Sequence, residues 1–322
     1  MEMIEQELRA KVKALLKEGK VKLVLGYQKG SLPFNATPTI VEDEASAERL
    51  IFDFSCGPGL AKYLLRKNIH SPGQKTGIIA KGCDARAVIQ YIAEKQLRRE
   101  DIVIIGVPCQ GVIDPNRVRK KIPDKEIVGY AIDGDKFIIR LRDDSVVSLN
   151  REEVIARACL RCVYPDALDA DIFITQPRKD VEHVNRYNEI MEFEKMGSDE
   201  RWNYFENEFS RCIRCYACRN ACPMCYCEEC FVDKTDPQWF GKGTGLSDTM
   251  LFHIVRILHV TGRCLDCGLC ERVCPMSIDL GLLNGKMNKE VKERFNYIPG
   301  LDPERPPALA TFDEGDRQEF IL

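Results

Sequence analysis

The chain has 322 residues, 47 Lys and Arg against 50 Asp and Glu, a net charge of −3, and 16 cysteines. That length allows two domains. The balanced charge, with sparse aromatics not interleaved with basic residues, excludes the basic stripe of a nucleic-acid binder, and no apolar run is long enough to span a membrane.

The N-terminal MEMIEQELRAKVKALLKEGK reads as an amphipathic helix and not as a secretory leader. The chain is therefore expected to be cytoplasmic, where many cysteines point to metal centres rather than disulfides. Strands are expected at 21–26 and 39–41, then helices over 45–52 and 60–67, separated by the turn Cys56-Gly57-Pro58-Gly59. GIIAK at 77–81 and DIVIIGV at 101–107 read as buried strands around a helix capped by Asp84, a βαβ unit with a parallel pair. Cys83 and Cys109 then fall just past the two strands, at the carboxyl edge where open α/β sheets bind ligands. Residues 126–149 read as three antiparallel strands with Asp-Gly and Asp-Asp turns. A helix over 151–158, the pair Cys159 and Cys162, and a strand at 171–175 close this first domain.

The fold class expected is α+β or α/β: a mixed-sheet N-terminal domain (1–176), a linker (177–196), an all-α dicluster domain (197–296) and an extended tail (297–322). The tail is rich in Pro and acidic residues and is expected to order only against a partner. Helices are expected over 199–210 and 246–260, the second capped by Ser247 or Asp248.

The second domain carries one pattern twice. Cys212, Cys215, Cys218 and Cys222 precede Pro223; Cys264, Cys267, Cys270 and Cys274 precede Pro275. Both read C-x2-C-x2-C-x3-C-P, the run that holds four-iron, four-sulfur clusters in bacterial ferredoxins, where the fourth Cys ligates the other cluster. Cluster 1 then takes Cys212, Cys215, Cys218 and Cys274; cluster 2 takes Cys264, Cys267, Cys270 and Cys222. Structural zinc is the alternative, but it uses two C-x2-C pairs and has no need of a third Cys at that spacing. The long insert between the runs, with helices around them, indicates the α-helical ferredoxin arrangement. RCLDCGLCERVCP resembles the corresponding domain of succinate dehydrogenase iron–sulfur subunits and heterodisulfide reductase C-type subunits. Arg211, Arg214 and Arg219 flank cluster 1, whereas Asp266 and Glu271 flank cluster 2. On charge alone, cluster 1 is expected to have the higher potential.

The run IIAKGCDARAV, IIGVPCQGVID, a β-rich stretch, then ACLRCVYPDALDADIFI resembles the beta-subunit family of coenzyme F420-reducing hydrogenases and formate dehydrogenases, over roughly residues 20–176. The resemblance implies FAD and a third [4Fe–4S] cluster in this domain. Cys83, Cys109, Cys159 and Cys162 form the available set of four, with Cys56 as a substitute for one of them and buried structural cysteines as the bland reading. A flavin diphosphate is expected at the helix N-terminus near Asp84 or in the loop 106–111, although no G-x-G-x-x-G run follows a strand. Cys56, Cys225, Cys227 and Cys230 remain, as a further metal site or as free thiols.

The function expected is an iron–sulfur electron-transfer subunit of a cytoplasmic anaerobic redox complex. Its partners by resemblance are a heterodisulfide-reductase-A-like flavoprotein, a formate dehydrogenase or hydrogenase subunit, or a soluble ferredoxin. The alternative is a self-contained flavin-dependent ferredoxin oxidoreductase with a deazaflavin or nicotinamide donor.

Overall fold

The computed structural model describes residues 2–175, 186–311 and 315. Helix α1 (Glu2–Lys17) buries Leu8, Val12 and Leu15, one face of a 3.6-residue period. Strands β1 (Leu23–Leu32) and β2 (Asn35–Val41) form an antiparallel hairpin. The two helices expected next are only 3-10 turns, Ser46–Arg49 and Ala61–Leu65. Leu50 bridges Gln28 and the Ile51 N–H donates to Tyr27, so the chain leaves the helical path to lie along β1.

Strand β3 (Thr76–Ala80), helix α2 (Gly82–Ala93) and strand β4 (Ile102–Gly106) form the expected βαβ unit. The strands are parallel and in register from Thr76↔Ile102 to Ala80↔Gly106. Every residue of β3 is buried, as in a strand covered on both faces. The cap of α2 is Lys81, not Asp84, which lies in the first turn. The Asp84 carboxylate is drawn inward: it accepts from the Leu60 N–H at 2.8 Å and pairs with Lys81 at 2.8 Å.

Helix α3 (Pro115–Lys121) is capped by the Asp114 side chain. Strands β5 (Ile127–Asp133), β6 (Lys136–Leu141) and β7 (Val146–Asn150) form an antiparallel sheet over a core that includes Phe54, Ile113, Phe137 and Ile139. The single helix expected over 151–158 is broken into α4 (Arg151–Val154) and α5 (Arg157–Leu160). Ile155 bridges Ile113, and the Ala156 N–H donates to Val112, which interrupts the helix and ties it to the loop after β4. Strand β8 (Ile172–Phe173) adds in parallel to β4 and completes a mixed five-stranded sheet of order β2-β1-β3-β4-β8.

The rest is helical: α6 (Asn188–Glu194), α7 (Ser198–Ser210), α8 (Ala217–Ala221), α9 (Leu246–Val260), α10 (Leu269–Arg272) and α11 (Leu280–Phe295). Helix α9 has the expected bounds, but its cap is Gly245 rather than Ser247 or Asp248. Helix α6 occupies part of the expected linker; residues 176–185 lie outside the described ones. A mixed-sheet region followed by an all-helical region is therefore the architecture.

The two regions share a core. Met224, Val260 and Leu265 are buried in the same cluster as β1, β3 and β4. Arg86 of α2 crosses the boundary, donating to the Leu265 carbonyl at 2.9 Å and the Pro299 carbonyl at 2.7 Å. The Gly300 N–H and the Tyr297 hydroxyl donate to the Gln90 side-chain oxygen. The first part of the tail thus orders against its own chain rather than awaiting a partner; residues 312–314 and 316–322 lie outside the described ones. Among the described residues no helix is long and apolar enough to cross a membrane.

Candidate metal centres

The β3–β4 register aligns the two carboxyl ends, so Cys83 and Cys109 emerge side by side, with the Val107 N–H donating to Ala80. The Ile113–Ile155 bridge brings the α5 segment to the same edge, and a Cβ on Gly111 would sit 3.3 Å from the Cys159 Cβ. Burial pushes the Cys83 thiol up, with Asp84 and then Cys109 and Cys159 adding to it. Burial also raises Cys109, with Cys159 and Cys162 acting in the same direction. The structure therefore gathers Cys83, Cys109, Cys159 and Cys162. Lys81, almost fully buried, opposes the shift at both Cys83 and Cys109.

The two cysteine runs adopt one backbone shape. Arg214 and Asp266, each just before the second Cys, have φ of +55° and +57°. Tyr216 and Gly268, each just after it, have φ of +59° and +66° and cap α8 and α10. Non-glycine residues rarely occupy this region, so three of them at matched places in two loops indicate a conformation imposed by the loop's task. The Arg214 N–H donates to the Cys212 sulfur at 3.4 Å, and the Ile278 N–H to the Cys274 sulfur at 3.5 Å.

Each run has the last cysteine of the other among its neighbours. Burial raises Cys212, with Cys274 and Cys215 adding; it raises Cys218 to about 11, with Cys274 and Cys212 again beside it. Burial likewise raises Cys264 to about 11, and lifts Cys267 and Cys270; Cys222, from the other run, acts on all three.

The three sets adjoin one another. Cys83 acts on Cys267, and Cys218 acts on Cys270. A cation stands at each join. Arg272 lies beside Cys159, Cys267 and Cys83, and its guanidinium donates to the Cys267 and Gly57 carbonyls, both at 2.9 Å. Arg256, 3 % exposed, lies beside Cys270, Cys222, Cys218 and Cys225. It donates to the Cys218 carbonyl at 3.1 Å, while its Nε and Nη1 are buried without a partner. A buried guanidinium with free donors facing thiols is expensive alone; a dianionic cluster on those sulfurs would balance it. His253 completes the surround, its Nε2 3.3 Å from the Cys212 sulfur. Sequence reading missed Arg256, Arg272 and His253; only the position of Arg272 inside CERVC hinted at a role.

Of the charges that were to rank the two clusters, all but Arg214 are paired. Arg211 pairs with Glu208 and Arg219 with Asp233; Asp266 pairs with Arg161 and Arg186, and Glu271 with Arg157. Asp266 and Glu271 are thus not isolated negative charges, whereas Arg214, beside the first run, donates to the Asp248 and Gly241 carbonyls and meets no carboxylate among the described residues.

The fourth grouping is not brought together. Cys56 is fully buried, and its electrostatic neighbours are Asp53, Lys81 and Cys109. Those of Cys225 are Cys222, Arg256 and Lys62. Cys225, Cys227 and Cys230 instead line a cleft of about 660 Å³. Among the described residues no three His, Cys, Asp or Glu side chains gather closely enough to hold a single ion.

The expected diphosphate position at α2 is covered. The Gly82 N–H donates to Pro165, and a Cβ there would lie 1.9 Å from the Tyr164 carbonyl. The loop 106–111 is likewise engaged, with Gly106 under Ala167 and Ala170 and the Gly111 N–H on the Cys109 sulfur. A space of about 630 Å³ opens between the sheet region and both cysteine runs, with Phe34, Pro58, Tyr63, Arg66 and Leu269 among its walls.

Three comparisons bear on this arrangement. Residues 73–204 match the family described as the C-terminal part of the coenzyme F420 hydrogenase/dehydrogenase beta subunit. The chain is 27 % identical to the F420-dependent formate dehydrogenase subunit beta of Methanocaldococcus jannaschii, across 92 % of this chain and 91 % of that one. It is 26 % identical to the F420-dependent formate dehydrogenase 1 subunit beta of Methanococcus maripaludis, with the same coverage. Both alignments are long enough to take in the sheet region and the two cysteine runs. A chain of the F420-reducing [NiFe] hydrogenase complex from Methanosarcina barkeri matches over 50 % of this chain and 62 % of its own, at 14 % identity and a TM-score of 0.38.

Proposed function

We propose that this chain, which resembles the coenzyme F420 hydrogenase/dehydrogenase beta-subunit family over residues 73–204 and F420-dependent formate dehydrogenase beta subunits over most of its length, is the electron-relaying subunit of an anaerobic redox complex, with a [4Fe–4S] cluster on each of the three cysteine sets. The observation that carries this is the continuity of the sets: Cys83 adjoins Cys267, and Cys270 adjoins Cys218. Such clusters exchange single electrons, at potentials tuned by charge, hydrogen bonds to sulfur and exposure. The protein supplies those levers through its own residues. Arg272 and Arg256 place positive charge at the two joins, and N–H groups of Gly111, Arg214 and Ile278 point at cysteine sulfurs.

One end of the path is the Cys83 set, enclosed by the sheet; the other is the Cys212 set, where Cys215 is exposed. That asymmetry supports an internal donor and an external acceptor, or the reverse. A flavin fits the space of about 630 Å³ in size, within the range of cofactor sites. Phe34 and Leu269 offer apolar faces, and Arg66, stacked on Tyr63 at 4.8 Å, offers the charge a diphosphate needs. Substrate chemistry lies with a partner: a formate dehydrogenase or hydrogenase subunit, as the names of the matched family and relatives suggest, or a heterodisulfide-reductase-like flavoprotein, as the RCLDCGLCERVCP run suggests.

Anaerobic purification with iron, sulfide, zinc and flavin quantification tests the reading. About twelve irons per chain are expected, falling by about four in Cys267→Ser. Zinc in place of iron would overturn it. About eight irons would remove the Cys83 set from the relay.

A further inference from the structure

The cleft of about 660 Å³ beside the first cysteine run takes no part in the relay. The Lys62 ammonium reaches across to the Asn220 carbonyl at 2.9 Å, and both residues line this cleft and the space of about 630 Å³ alike. The two volumes are neighbours with a common wall, and each has the size of a small-molecule site.

One part of its wall is aromatic. Phe231 packs edge-on against Phe240 at 4.7 Å and against His259 at 4.6 Å. Trp239 also lines the cleft, yet it is 64 % exposed and stacks on no ring among the described residues. An indole left open in a concave site offers a large flat face to a ligand. The rest of the wall is net positive. Arg219, Lys234 and Arg263 pair with Asp233, Glu229 and Glu94, whereas Lys62, Arg66 and Arg256 line the cleft with no carboxylate within 4.0 Å among the described residues. Arg256 faces the cysteine sets, and Arg66 stacks on Tyr63, which belongs to the neighbouring space. Lys62 is thus the cation left to this cleft. Burial lowers its pKa, Cys225 and Cys222 raise it, and Arg219 and Arg66 lower it again, so three cations converge at one rim. Glu228, the remaining carboxylate of the cleft, is exposed, where salt and water screen it.

We infer that this cleft binds a nucleoside phosphate taken up from solution, with its base on the Trp239 face and its phosphate on Lys62, at a site separate from the flavin's. A flat base matches an open indole, because every base has a π-face and stacking tolerates its identity. A phosphate matches the converging cations, because lysine holds it as a compact point charge and the added anion relieves the repulsion among Lys62, Arg66 and Arg219. A neutral aromatic molecule would leave Lys62 unanswered, and a bare phosphate would leave Trp239 open. A ligand that carries both groups answers both parts of the wall. Binding is reversible and makes or breaks no covalent bond. It needs neither an iron–sulfur cluster nor a flavin, so this site stands or falls apart from the relay.

The test uses the anaerobically purified full chain with AMP, adenosine and inorganic phosphate. Equilibrium dialysis with radiolabelled AMP and adenosine measures binding. Trp239 fluorescence is read in a Trp202→Phe background, since the chain has 2 tryptophans. AMP should bind saturably and quench Trp239. Adenosine should bind about ten-fold more weakly, the worth of one charge-assisted hydrogen bond, and inorganic phosphate should displace AMP only at concentrations about ten-fold higher than AMP itself needs. Lys62→Gln removes the charge but keeps a donor for the Asn220 carbonyl; it should weaken AMP about ten-fold at low salt and leave adenosine unchanged. Trp239→Leu should weaken both ligands about ten-fold. Iron and flavin content should match wild type in both variants. The inference is overturned by an absence of AMP binding at millimolar concentration, by equal affinity for AMP and adenosine, or by AMP affinity unchanged in either variant. Loss of flavin in Lys62→Gln would give Lys62 to the neighbouring space, and AMP that displaces flavin mole for mole would make the two spaces one site; either result also overturns it. Wild-type protein without iron would refute the relay and leave this site untouched.

Discussion

Asp84 and Lys81 form an ion pair at 2.8 Å with both side chains 3 % exposed, directly beside Cys83. Replacing Asp84 with Asn keeps the shape and the acceptor for the Leu60 N–H, held at 2.8 Å in the wild type. It leaves the Lys81 ammonium buried with only the Tyr27 hydroxyl and the Pro58 carbonyl. Breaking one side of a buried pair costs about 3–5 kcal/mol. For a cooperative unit of this length the unfolding entropy is about 0.7 kcal/mol/K, so the melting temperature should fall by about 4–7 °C. Anaerobic thermal unfolding followed by circular dichroism reads this directly. The double variant Lys81→Met, Asp84→Leu removes both charges, and its cost should be well below the sum of the singles. A melting temperature for Asp84→Asn within a degree of wild type, or full additivity in the double variant, would refute the reasoning.

Three other outcomes follow from the same geometry. Arg86→Met strips the Pro299 and Leu265 carbonyls of their donor; limited proteolysis should then cut near residues 299–311 before the rest of the chain, whereas cleavage at the wild-type rate would show that Arg86 does not hold the tail. Gly268→Val places a branched side chain at φ +66° where a Cβ already lies 2.6 Å from that of Ala158, so it should loosen the join between the Cys83 and Cys264 sets and lose iron from both; iron content unchanged from wild type contradicts this. Burial works against ionised Asp279, yet Arg157 and the Leu282 N–H hold its carboxyl below the usual range. The folded value is thus depressed, so its contribution to stability is present above the unfolded value of about 3.9 and is lost as pH falls through the folded value. Acid titration of stability should lose this component in Asp279→Asn, and identical acid profiles for the two proteins would exclude it.

Local pattern made much of the first region legible. A short apolar run bounded by Gly and Lys can only be a covered strand, which placed β3 and β4 and hence Cys83 and Cys109. Helix α9 was readable end to end because its apolar positions recur at helical spacing. The reading failed where a tertiary bond competed with local preference. Residues 45–52 and 151–158 have helical patterns, but Leu50 and Ile155 pair with distant backbone instead. Asp84 reads as a cap, but an inward lysine gives its carboxylate a better partner than solvent. The tail's Pro and acidic content suggested an arm, but buried Arg86 and Gln90 hold its start.

Spacing alone determined which cysteines form each ferredoxin-type run and that the runs are equivalent, because ligand geometry constrains a short loop more tightly than any packing does. Tertiary structure alone decided the rest. It set the three sets next to one another, placed Arg256 and Arg272 at their joins, assigned Cys56 to the sheet core and left Cys225 facing a positive cleft. None of these is written in a local pattern. Each depends on which distant backbone and which buried charge the folded chain brings within a few ångströms, and sequence separation carries no information about that.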